Sequence, residues 1–300
     1  MRHLLHHMLT FKPKFAEKYK NLTDFEEYKK AIQQPLRRSF RVNTLLADVD
    51  SVKEGIEALG FPIEKIPWCK EGFYAGKGSF ALGNTPEHKE GRIFIQSAVS
   101  MIPCIVLQPE QGDVVLDCCA APGGKTTHLA ALMKNLGVIV ANEADGKRVG
   151  ILIENLERMQ VMNAVVTKMS ADALTGSYDK ILLDAPCSAS GTIFGGTKES
   201  KRTLLEWNPD TIRRLAKLQK KLLMHAWKLL KPEGSLVYST CSLEPEEDED
   251  VVQFFLEREN SAQLERFDLP LKYEWKNGMK IWPQHNQTEG FFISKIRKLP

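Results

Sequence analysis

No apolar run in this 300-residue sequence approaches the roughly 18 residues that a membrane-spanning helix requires. Residues 1–7 contain too short an apolar segment for a signal peptide. The six cysteines include no Cys-x-x-Cys pair, which argues against a disulfide framework and a structural zinc site. Three early histidines are more typical of a mobile N-terminus than of a metal site: His3, His6 and His7. We therefore predict a cytoplasmic protein without a membrane segment or a metal.

A strong excess of either charge is also lacking, because the net charge is +3 at pH 7. The composition, 43% hydrophobic and 26% charged, is that of an ordinary soluble globular protein. The first 50 residues carry ten basic and six acidic side chains, a local charge of +4 that is compatible with phosphate contacts. Basic surfaces also occur without that role, so charge alone leaves a nucleic-acid partner undecided.

A turn of small residues, 117–128, follows the apolar residues 114–116 and precedes the helix-forming run 129–133. A strand, a small-residue turn and a helix N-terminus form the unit with which α/β proteins hold a nucleotide-like cofactor. Gly-Lys-Thr at 124–126 imitates the end of a phosphate-binding P-loop, but Cys119 stands where that motif requires glycine. The Gly-x-Gly-x-x-Gly pattern of dinucleotide sites is absent as well. S-adenosylmethionine, which has no phosphate, fits the turn better.

The first 95 residues predict a helical segment followed by a compact α+β module. Their periodicity changes from helical spacing to short apolar pieces separated by Gly and Pro. The predicted elements are helices over residues 1–35, a strand over 37–45, a helix over 52–59 capped by Asp50 or Ser51, and small strands over 61–95.

Residues 96–300 alternate helical and strand patterns, which predicts an α/β domain with a mostly parallel sheet and helices on both faces. A helix is predicted over 97–107, and another begins at Asn208 and Pro209, which are a good cap and first helical position. The tail, including 290–294, is expected to supply edge strands. The predicted core strands cover residues 114–116, 138–142, 164–167, 178–184 and 236–239.

Two acids follow successive predicted strands at the edge where such sheets bind ligands. Glu143 lies 20 residues after Gly123, where a carboxylate can accept hydrogen bonds from a ribose diol. Asp172 follows the next strand and could accept from an exocyclic amino group. Either acid alone is more typical of an exposed loop, but their placement beside the glycine turn favours a nucleoside site.

Two cysteines and an acid follow the fourth and fifth predicted strands of the domain: Asp184 and Cys187, then Cys241. A lone cysteine is usually a small buried hydrophobe, but these two are flanked by polar loop residues. Carbon 5 of cytosine is a poor nucleophile until something adds to carbon 6, and a thiolate adds and leaves readily. Asp184 could help addition by meeting the cytosine at N3 if its carboxyl is protonated or shares a proton with the cytosine, and a general base must later remove the carbon-5 proton. The chemistry leaves open which cysteine attacks.

Separate motifs then occur in a specific order: Arg-x-Asn-Thr at 41–44, Asp-x-Cys-Ala-Ala-Pro-Gly-Gly-Lys-Thr at 117–126, Asp-Ala-Pro-Cys-Ser at 184–188, Ser-Thr-Cys-Ser-Leu-x-Pro-Glu-Glu at 239–247 and Gly-Phe-Phe at 290–292. With these motifs the chain resembles the Nop/Sun (NSUN) family of RNA 5-methylcytosine methyltransferases over residues 37–297. Its compact size is similar to that of the short archaeal tRNA cytosine-5 methyltransferases.

The resemblance implies a Rossmann-like S-adenosylmethionine-dependent methyltransferase domain over residues 96–300 and an RNA-recognition-like module within residues 1–95. It implies that Cys241 is the nucleophile and that Cys187 assists breakdown of the adduct and product release. Asp184 is implied to contact the base and the methionine end of the cofactor, with Lys125 close to the reacting centre. The residues implied to bind S-adenosylmethionine are Cys119, Ala120, Ala121, Pro122, Gly123, Gly124, Lys125, Glu143, Arg148, Asp172 and Asp184.

We therefore predict a monomeric RNA cytosine-C5 methyltransferase with tRNA as the favoured substrate. Ribosomal RNA is the alternative substrate, and a non-catalytic RNA-binding or assembly factor on the same fold is the alternative function. Two departures from the family pattern, Ala189 for glycine and Asp248 for asparagine, concern loop geometry. The acidic run 244–250 is predicted to form a helix N-terminus after Pro245, where negative charge is favourable, rather than a metal site.

Overall fold

The computed structural model describes residues 9–300. The predictions for His3, His6 and His7, and for the start of the helical segment, lie outside the described residues. The helices are α1 Pro13–Leu22, α2 Phe25–Gln33, α3 Val49–Ala58, α4 Pro86–Lys89, α5 Ile102–Leu107, α6 Gly124–Leu132, α7 Gly146–Arg158, α8 Lys198–Glu206, α9 Pro209–Leu229, α10 Glu249–Leu256 and α11 Pro283–Asn286. The strands are β1 Arg38–Val42, β2 Ile63–Lys65, β3 Gly72–Ala75, β4 Ile93–Ile95, β5 Val114–Asp117, β6 Val138–Asn142, β7 Ala164–Thr167, β8 Tyr178–Asp184, β9 Leu230–Thr240, β10 Ala262–Glu265, β11 Glu274–Trp275, β12 Met279–Ile281 and β13 Phe291–Lys298.

The helical pair α1–α2 packs against distant parts of the chain. Asp24 caps α2 by accepting hydrogen bonds from the backbone N–H groups of Glu26 and Glu27. The buried aromatic faces of both helices share a core with Trp207 and Trp282. The first two helices therefore pack against segments that come about 180 residues or more later in the sequence.

A first, antiparallel sheet has the strand order β2-β3-β1-β4. Alternate residues of β1 point to opposite faces, as the strand period requires. Phe40 and Val42 join a core with Val52 and Ile56 of α3. Arg41 points the other way and donates a hydrogen bond from Nη2 to the Thr127 Oγ1 of α6 at 2.9 Å. One face of this sheet thus packs on α3, and the other faces the second sheet's helices.

The second sheet has the order β11-β12-β13-β9-β8-β5-β6-β7, with β10 also paired to β13. The adjacent strands β7, β6, β5, β8 and β9 are parallel, and the strands beyond β9 are antiparallel. One face of the sheet is covered by α5 and α6, and the other by α9 and α10. The predicted fold class, a Rossmann-like α/β domain with an N-terminal α+β module, is confirmed. Strand order reverses between β5 and β8, so the ligand crevice is expected there.

Several boundaries differ from the sequence predictions for identifiable reasons. Helix α3 begins three residues early because Asp48, not Asp50 or Ser51, accepts the capping hydrogen bonds. The tail strand β13 is not at an edge, since it pairs with β9 on one side and β12 on the other. Helix α8 was not predicted; its Thr197 caps it through the Ser200 N–H. No helix within residues 9–300 is long and apolar enough to cross a membrane.

Candidate active site

The small-residue turn connects β5 to α6 and forms one wall of a cavity of about 450 Å³. Gly123 has a φ of +104°, and a side chain there would meet Leu152 Cδ1 at 3.2 Å. Only glycine adopts this conformation easily, and its small size leaves the turn's backbone open to a ligand. The cavity is therefore bounded on one side by backbone and methyl-sized groups, with Cys119 and Ala121 among its lining residues.

Glu143 enters the same cavity from the end of β6. Its side chain is buried, and Oε1 accepts a hydrogen bond from the Asp145 N–H at 3.0 Å. Its Oε2 is buried and accepts no hydrogen bond from residues 9–300, although Arg148 Nη1 lies 3.2 Å away. A buried carboxylate oxygen with unused acceptor capacity fits the ribose diol of S-adenosylmethionine.

Arg148 and Asp172 have different surroundings. Arg148 lines the cavity, and its Nη2 donates to the Ala121 carbonyl at 2.6 Å, so it fixes the turn. Asp172 is instead hydrogen-bonded to Lys221 and Ser170, and the Lys221 contact above all lowers the pKa of Asp172 to about 2. Its neighbours Ser170 and Ala171 line the cavity, but the structure does not bring the Asp172 carboxylate into it.

Lys125 and Asp184 form an ion pair where the turn meets the end of β8. Lys125 Nζ lies 2.7 Å from Asp184 Oδ2, and the Ser239 hydroxyl donates to Asp184 Oδ1 at 2.7 Å. Burial alone would lower the pKa of Lys125, but the Asp184 charge more than offsets it and the pKa is raised. Lys125 is therefore a protonated donor, and both carboxylate oxygens of Asp184 are held in fixed directions. Ser239 was not predicted, although its motif was recognised.

Cys187 and Cys241 meet at the edge of the cavity. Their sulfur atoms are 3.2 Å apart, because β8 and β9 are adjacent parallel strands whose carboxyl ends coincide. The hydrogen bond to Cys241, followed by burial, raises the pKa of the Cys187 thiol well above its usual range. Cys187 therefore keeps its proton and can donate it toward the Cys241 sulfur. This arrangement suits one thiol that attacks and one that assists.

The acidic run 244–250 was predicted to form a helix N-terminus, and this prediction is wrong for most of the run. Helix α10 begins only at Glu249, and the acids before it include fully buried Glu244, Glu247 and Asp248. The loops carry backbone and polar groups that need acceptors away from water, so these acids serve as internal partners. The helix interpretation holds for the last part of the run alone.

Each buried acid fixes one part of the cysteine loops. Glu247 accepts hydrogen bonds from the N–H and hydroxyl of Ser188, next to Cys187. Asp248 accepts from the Thr240 hydroxyl at 2.6 Å, next to Cys241, and lies 3.1 Å from Lys280 Nζ. Glu247 thus fixes the loop that contains Cys187, and Asp248 fixes the loop that contains Cys241.

Glu244 connects the Cys241 loop to elements far away in sequence. Its Oε1 accepts from the Tyr19 hydroxyl at 2.9 Å and from Trp207 Nε1 at 2.8 Å. Its Oε2 lies 2.6 Å from Lys18 Nζ. Three donors from α1 and the end of α8 therefore converge on one carboxylate three residues after the proposed nucleophile.

Glu289 is a further residue that the sequence patterns did not indicate, although it precedes the recognised Gly-Phe-Phe motif. Burial raises its pKa, and Ser97 and Lys125 lie close enough to lower it in part. The next residue, Gly290, donates its N–H to the Gly191 carbonyl at 2.9 Å, and Gly191 donates to the Cys241 carbonyl. A second carboxylate therefore lies beside the Lys125–Asp184 pair.

One cluster of side chains of the kinds that bind metal ions lies away from this cavity. Cys69, Glu71 and His128 each offer one atom, all within 4.8 Å of one another. The buried Arg41 guanidinium interacts with all three groups, and burial lowers its pKa to about 10. This cation already compensates the Glu71 charge and repels a second one. The absence of a metal stays a prediction.

Known proteins are similar to both parts of the chain. The family described as 16S rRNA methyltransferase RsmB/F matches residues 104–297, and the N-terminal domain of 16S rRNA methyltransferase RsmF matches residues 11–98. The tRNA (cytosine(49)-C(5))-methyltransferase of Pyrococcus abyssi is 41% identical in an alignment of 303 positions. The alignment covers 95% of this chain and 96% of that protein.

Two further comparisons extend the range of relatives. The ribosomal RNA small subunit methyltransferase F of Aeromonas salmonicida is 37% identical, over 99% of this chain but 63% of that protein. The crystal structure of NSun6 from Pyrococcus horikoshii with SFG superposes with a TM-score of 0.88 at 25% identity, covering 98% of this chain and 100% of that one. SFG is an analogue of S-adenosylmethionine. Given the family match and the 41% identical relative, the chain belongs to the RsmB/F (Nop/Sun) family of S-adenosylmethionine-dependent RNA methyltransferases.

Proposed function

We propose that this protein transfers the methyl group of S-adenosylmethionine to carbon 5 of cytosine in RNA, through a covalent bond between Cys241 and carbon 6. The observation that carries the proposal is the pair of sulfur atoms 3.2 Å apart at the edge of a cavity that Asp184 also lines. A binding protein requires neither sulfur in that position. The alternative, a non-catalytic RNA-binding or assembly factor, leaves this pair and the Lys125–Asp184 ion pair without a role.

The cavity suits the cofactor because of what lines it. Within the turn, Cys119 and Ala121 offer backbone and small side chains, and Glu143 offers an unused acceptor for the ribose. S-adenosylmethionine, when bound, supplies an electrophilic methyl group. Arg148 fixes the turn through the Ala121 carbonyl, and Asp184 lies between the turn and the cysteines.

The protein's own groups divide the reaction into addition and elimination. Cys241, as the thiolate, forms the sulfur–carbon 6 bond, which makes carbon 5 nucleophilic. Lys125, held by Asp184, donates a hydrogen bond to the polar edge of the base as charge accumulates there. After carbon 5 has gained its methyl group, a base takes its proton and the sulfur–carbon 6 bond breaks. Cys187 is the nearest thiol to Cys241 and assists this second stage.

We propose tRNA as the substrate. In support, the relative named for tRNA matches this chain over nearly its own full length, whereas the Aeromonas relative named for ribosomal RNA extends well beyond the matched part. We further propose a cytoplasmic monomer without a metal, with an RNA-recognition-like module over residues 1–95 and a catalytic domain over residues 96–300.

The test is a methyl-transfer assay on unmodified tRNA and ribosomal RNA transcripts. Wild-type protein should methylate tRNA, and Cys241→Ala should abolish the transfer. Cys187→Ala should accumulate a covalent protein–RNA complex that survives denaturing electrophoresis, because its adduct breaks down slowly. Cys69→Ala, which changes a buried cysteine away from the cavity, is the control and should keep its activity. Undiminished methylation by Cys241→Ala would sink the mechanism.

A further inference from the structure

The RNA-recognition-like module cannot use its sheet face in the manner usual for such sheets. RNA-recognition sheets stack bases on aromatic side chains that their open face exposes. Here Phe40 and Phe73 are buried on the α3 side. On the other face, Arg41 is fully buried against α6, and Tyr74 packs with the catalytic domain's core. Neither face of the sheet is therefore open for base stacking, and its strands are reached from the edge.

A groove begins at that edge. A cavity of about 600 Å³ lies beside β2 and β3, and a second of about 530 Å³ lies beside α2. The two cavities share Pro35 and Arg37 as lining residues, so they adjoin each other. We call them together the edge groove; the residues used below are Lys30, Arg37, Arg38, Tyr74, Lys77 and Phe194.

The charge of the edge groove suits a polyanion. Four basic side chains line it, against the two acids Glu27 and Glu64. The acids are engaged by Lys30 and Arg37. Arg38 and Lys77 are exposed and form no ion pair within residues 9–300. Phosphate groups are the natural partners for such unpaired cations along a groove.

Arg37 adds a flat surface to the groove. Its guanidinium lies 3.7 Å from the centre of the Tyr74 ring, and Glu64 fixes its orientation at 2.6 Å. The plane of a guanidinium held on an aromatic ring is a surface on which an unpaired base can stack. Single-stranded RNA, which has both phosphates and unstacked bases, would use the unpaired cations as well as the Arg37 plane.

The groove leads toward the cysteines. Phe194, which lines its inner end, belongs to the loop that follows Cys187. That loop is fixed to α2, since the Gly195 N–H donates to the Ile32 carbonyl at 2.8 Å. Farther along the same loop, the Gly191 N–H donates to the Cys241 carbonyl at 2.9 Å. Single-stranded RNA in the groove would therefore approach the loop that follows Cys187, which contacts the backbone of Cys241.

We propose that the edge groove binds the single-stranded RNA that flanks the target cytosine, with phosphates at Arg38 and Lys77 and a base stacked on Arg37. The proposal rests on the proposed function, because it assumes that RNA is the substrate. A competing basic cavity, of about 700 Å³, lies along α9. Three of its four cations are already engaged, Arg213 by Asp210, Lys221 by Asp172 and Lys220 by the Phe254 ring, which leaves Lys217. The acids Glu246 and Asp250 also line this cavity.

The test compares two charge-neutralised variants of the full chain, Arg38→Gln/Lys77→Gln and the matched control Lys217→Gln/Lys220→Gln on α9. The probe is an unmodified tRNA transcript, titrated at several salt concentrations. The edge-groove variant should bind about tenfold more weakly at 0.1 M salt, and its log–log salt slope should fall by about 1.4, or about 0.7 for each lost phosphate contact on a single strand. Its KM for RNA should rise, while kcat and the affinity for S-adenosylmethionine stay unchanged.

The α9 variant should resemble wild type in every measurement. Equal or greater weakening by the α9 variant, or an unchanged salt slope in the edge-groove variant, would overturn the proposal. Failure of the proposed function looks different: wild type would then methylate no transcript, whatever the binding shows. All four positions lie on the surface or are partly exposed, so unfolding curves should coincide and exclude misfolding as the cause.

Discussion

The two halves of the candidate site are built in different ways. The cofactor half is local: one turn, 117–128, and one acid, Glu143, come from a strand–turn–helix–strand segment. The cysteine half is assembled from distant segments, since Glu244 meets Tyr19 and Trp207, and Asp248 meets Lys280. The first half depends on backbone shape, whereas the second depends on buried charge. Substitutions in the two halves should therefore affect different measured quantities: stability and kcat in the cysteine half, and pH-dependent stability or cofactor affinity in the cofactor half.

The largest effect is expected in the cysteine half, from Glu244→Gln. The amide keeps the shape of the side chain but leaves Lys18 facing a group that is partly a donor. Replacing a buried charge that several donors share should lower the free energy of unfolding by about 3 kcal/mol. The Cys241 loop should also loosen, so kcat should fall while the dissociation constant for S-adenosylmethionine stays unchanged. Urea unfolding, steady-state kinetics and calorimetric titration measure the three quantities.

Glu246→Gln is the matched control for that variant. Glu246 contacts the same Lys18, at 2.8 Å, but its side chain is 41% exposed. An exposed ion pair contributes less than about 1 kcal/mol, so this variant should remain close to wild type in stability and kcat. Equal losses in the two variants would mean that the buried position of Glu244 has no special importance.

The same contrast explains how far the sequence could predict the molecule. Strands β6, β7 and β8 were predicted with their observed bounds, because each contains a short apolar run that polar or turn-forming residues delimit. The turn and Glu143 follow from spacing within one segment. The role of Glu244 could not be predicted, because its partners lie 225 residues before it and 37 residues before it. Asp172 was expected at the cofactor for the same reason: nothing local reveals that Lys221 engages it.

An intermediate effect is expected in the cofactor half, from Asp117→Asn. Burial raises the pKa of Asp117 from 3.8 to about 7. Between these values the folded protein keeps the proton while the unfolded chain loses it, so stability falls as pH rises toward 7 and then levels off. At 1.36 kcal/mol per pH unit, the loss between pH 5.5 and 8 is about 2 kcal/mol, most of it below pH 7. The variant should lack this slope.

Unfolding in urea at pH 5.5, 6.2, 7 and 8 measures the slope, and the difference between wild type and Asp117→Asn removes the contribution of other titrating groups. The Thr126 hydroxyl, which donates to Asp117 Oδ2 at 2.7 Å, can still donate to the asparagine oxygen. A slope that is the same in both proteins would show that Asp117 is ionised throughout and that its burial is compensated.

The smallest effect is expected from Gly123→Ala, which changes the shape of the cofactor turn without changing its charge. Alanine at a φ of +104° is strained, and its methyl group would lie 3.2 Å from Leu152 Cδ1. A strain of about 1 kcal/mol should shift the turn and weaken S-adenosylmethionine binding several-fold, with the cysteine half unaffected. The control is Gly150→Ala in α7, where a methyl group meets nothing within 4 Å, and alanine should slightly stabilise the helix. Calorimetric titration should therefore separate the two glycines: an unchanged dissociation constant in Gly123→Ala would mean that the cofactor does not bind against this turn, and the contrast between a backbone-shaped half and a charge-supported half would fail.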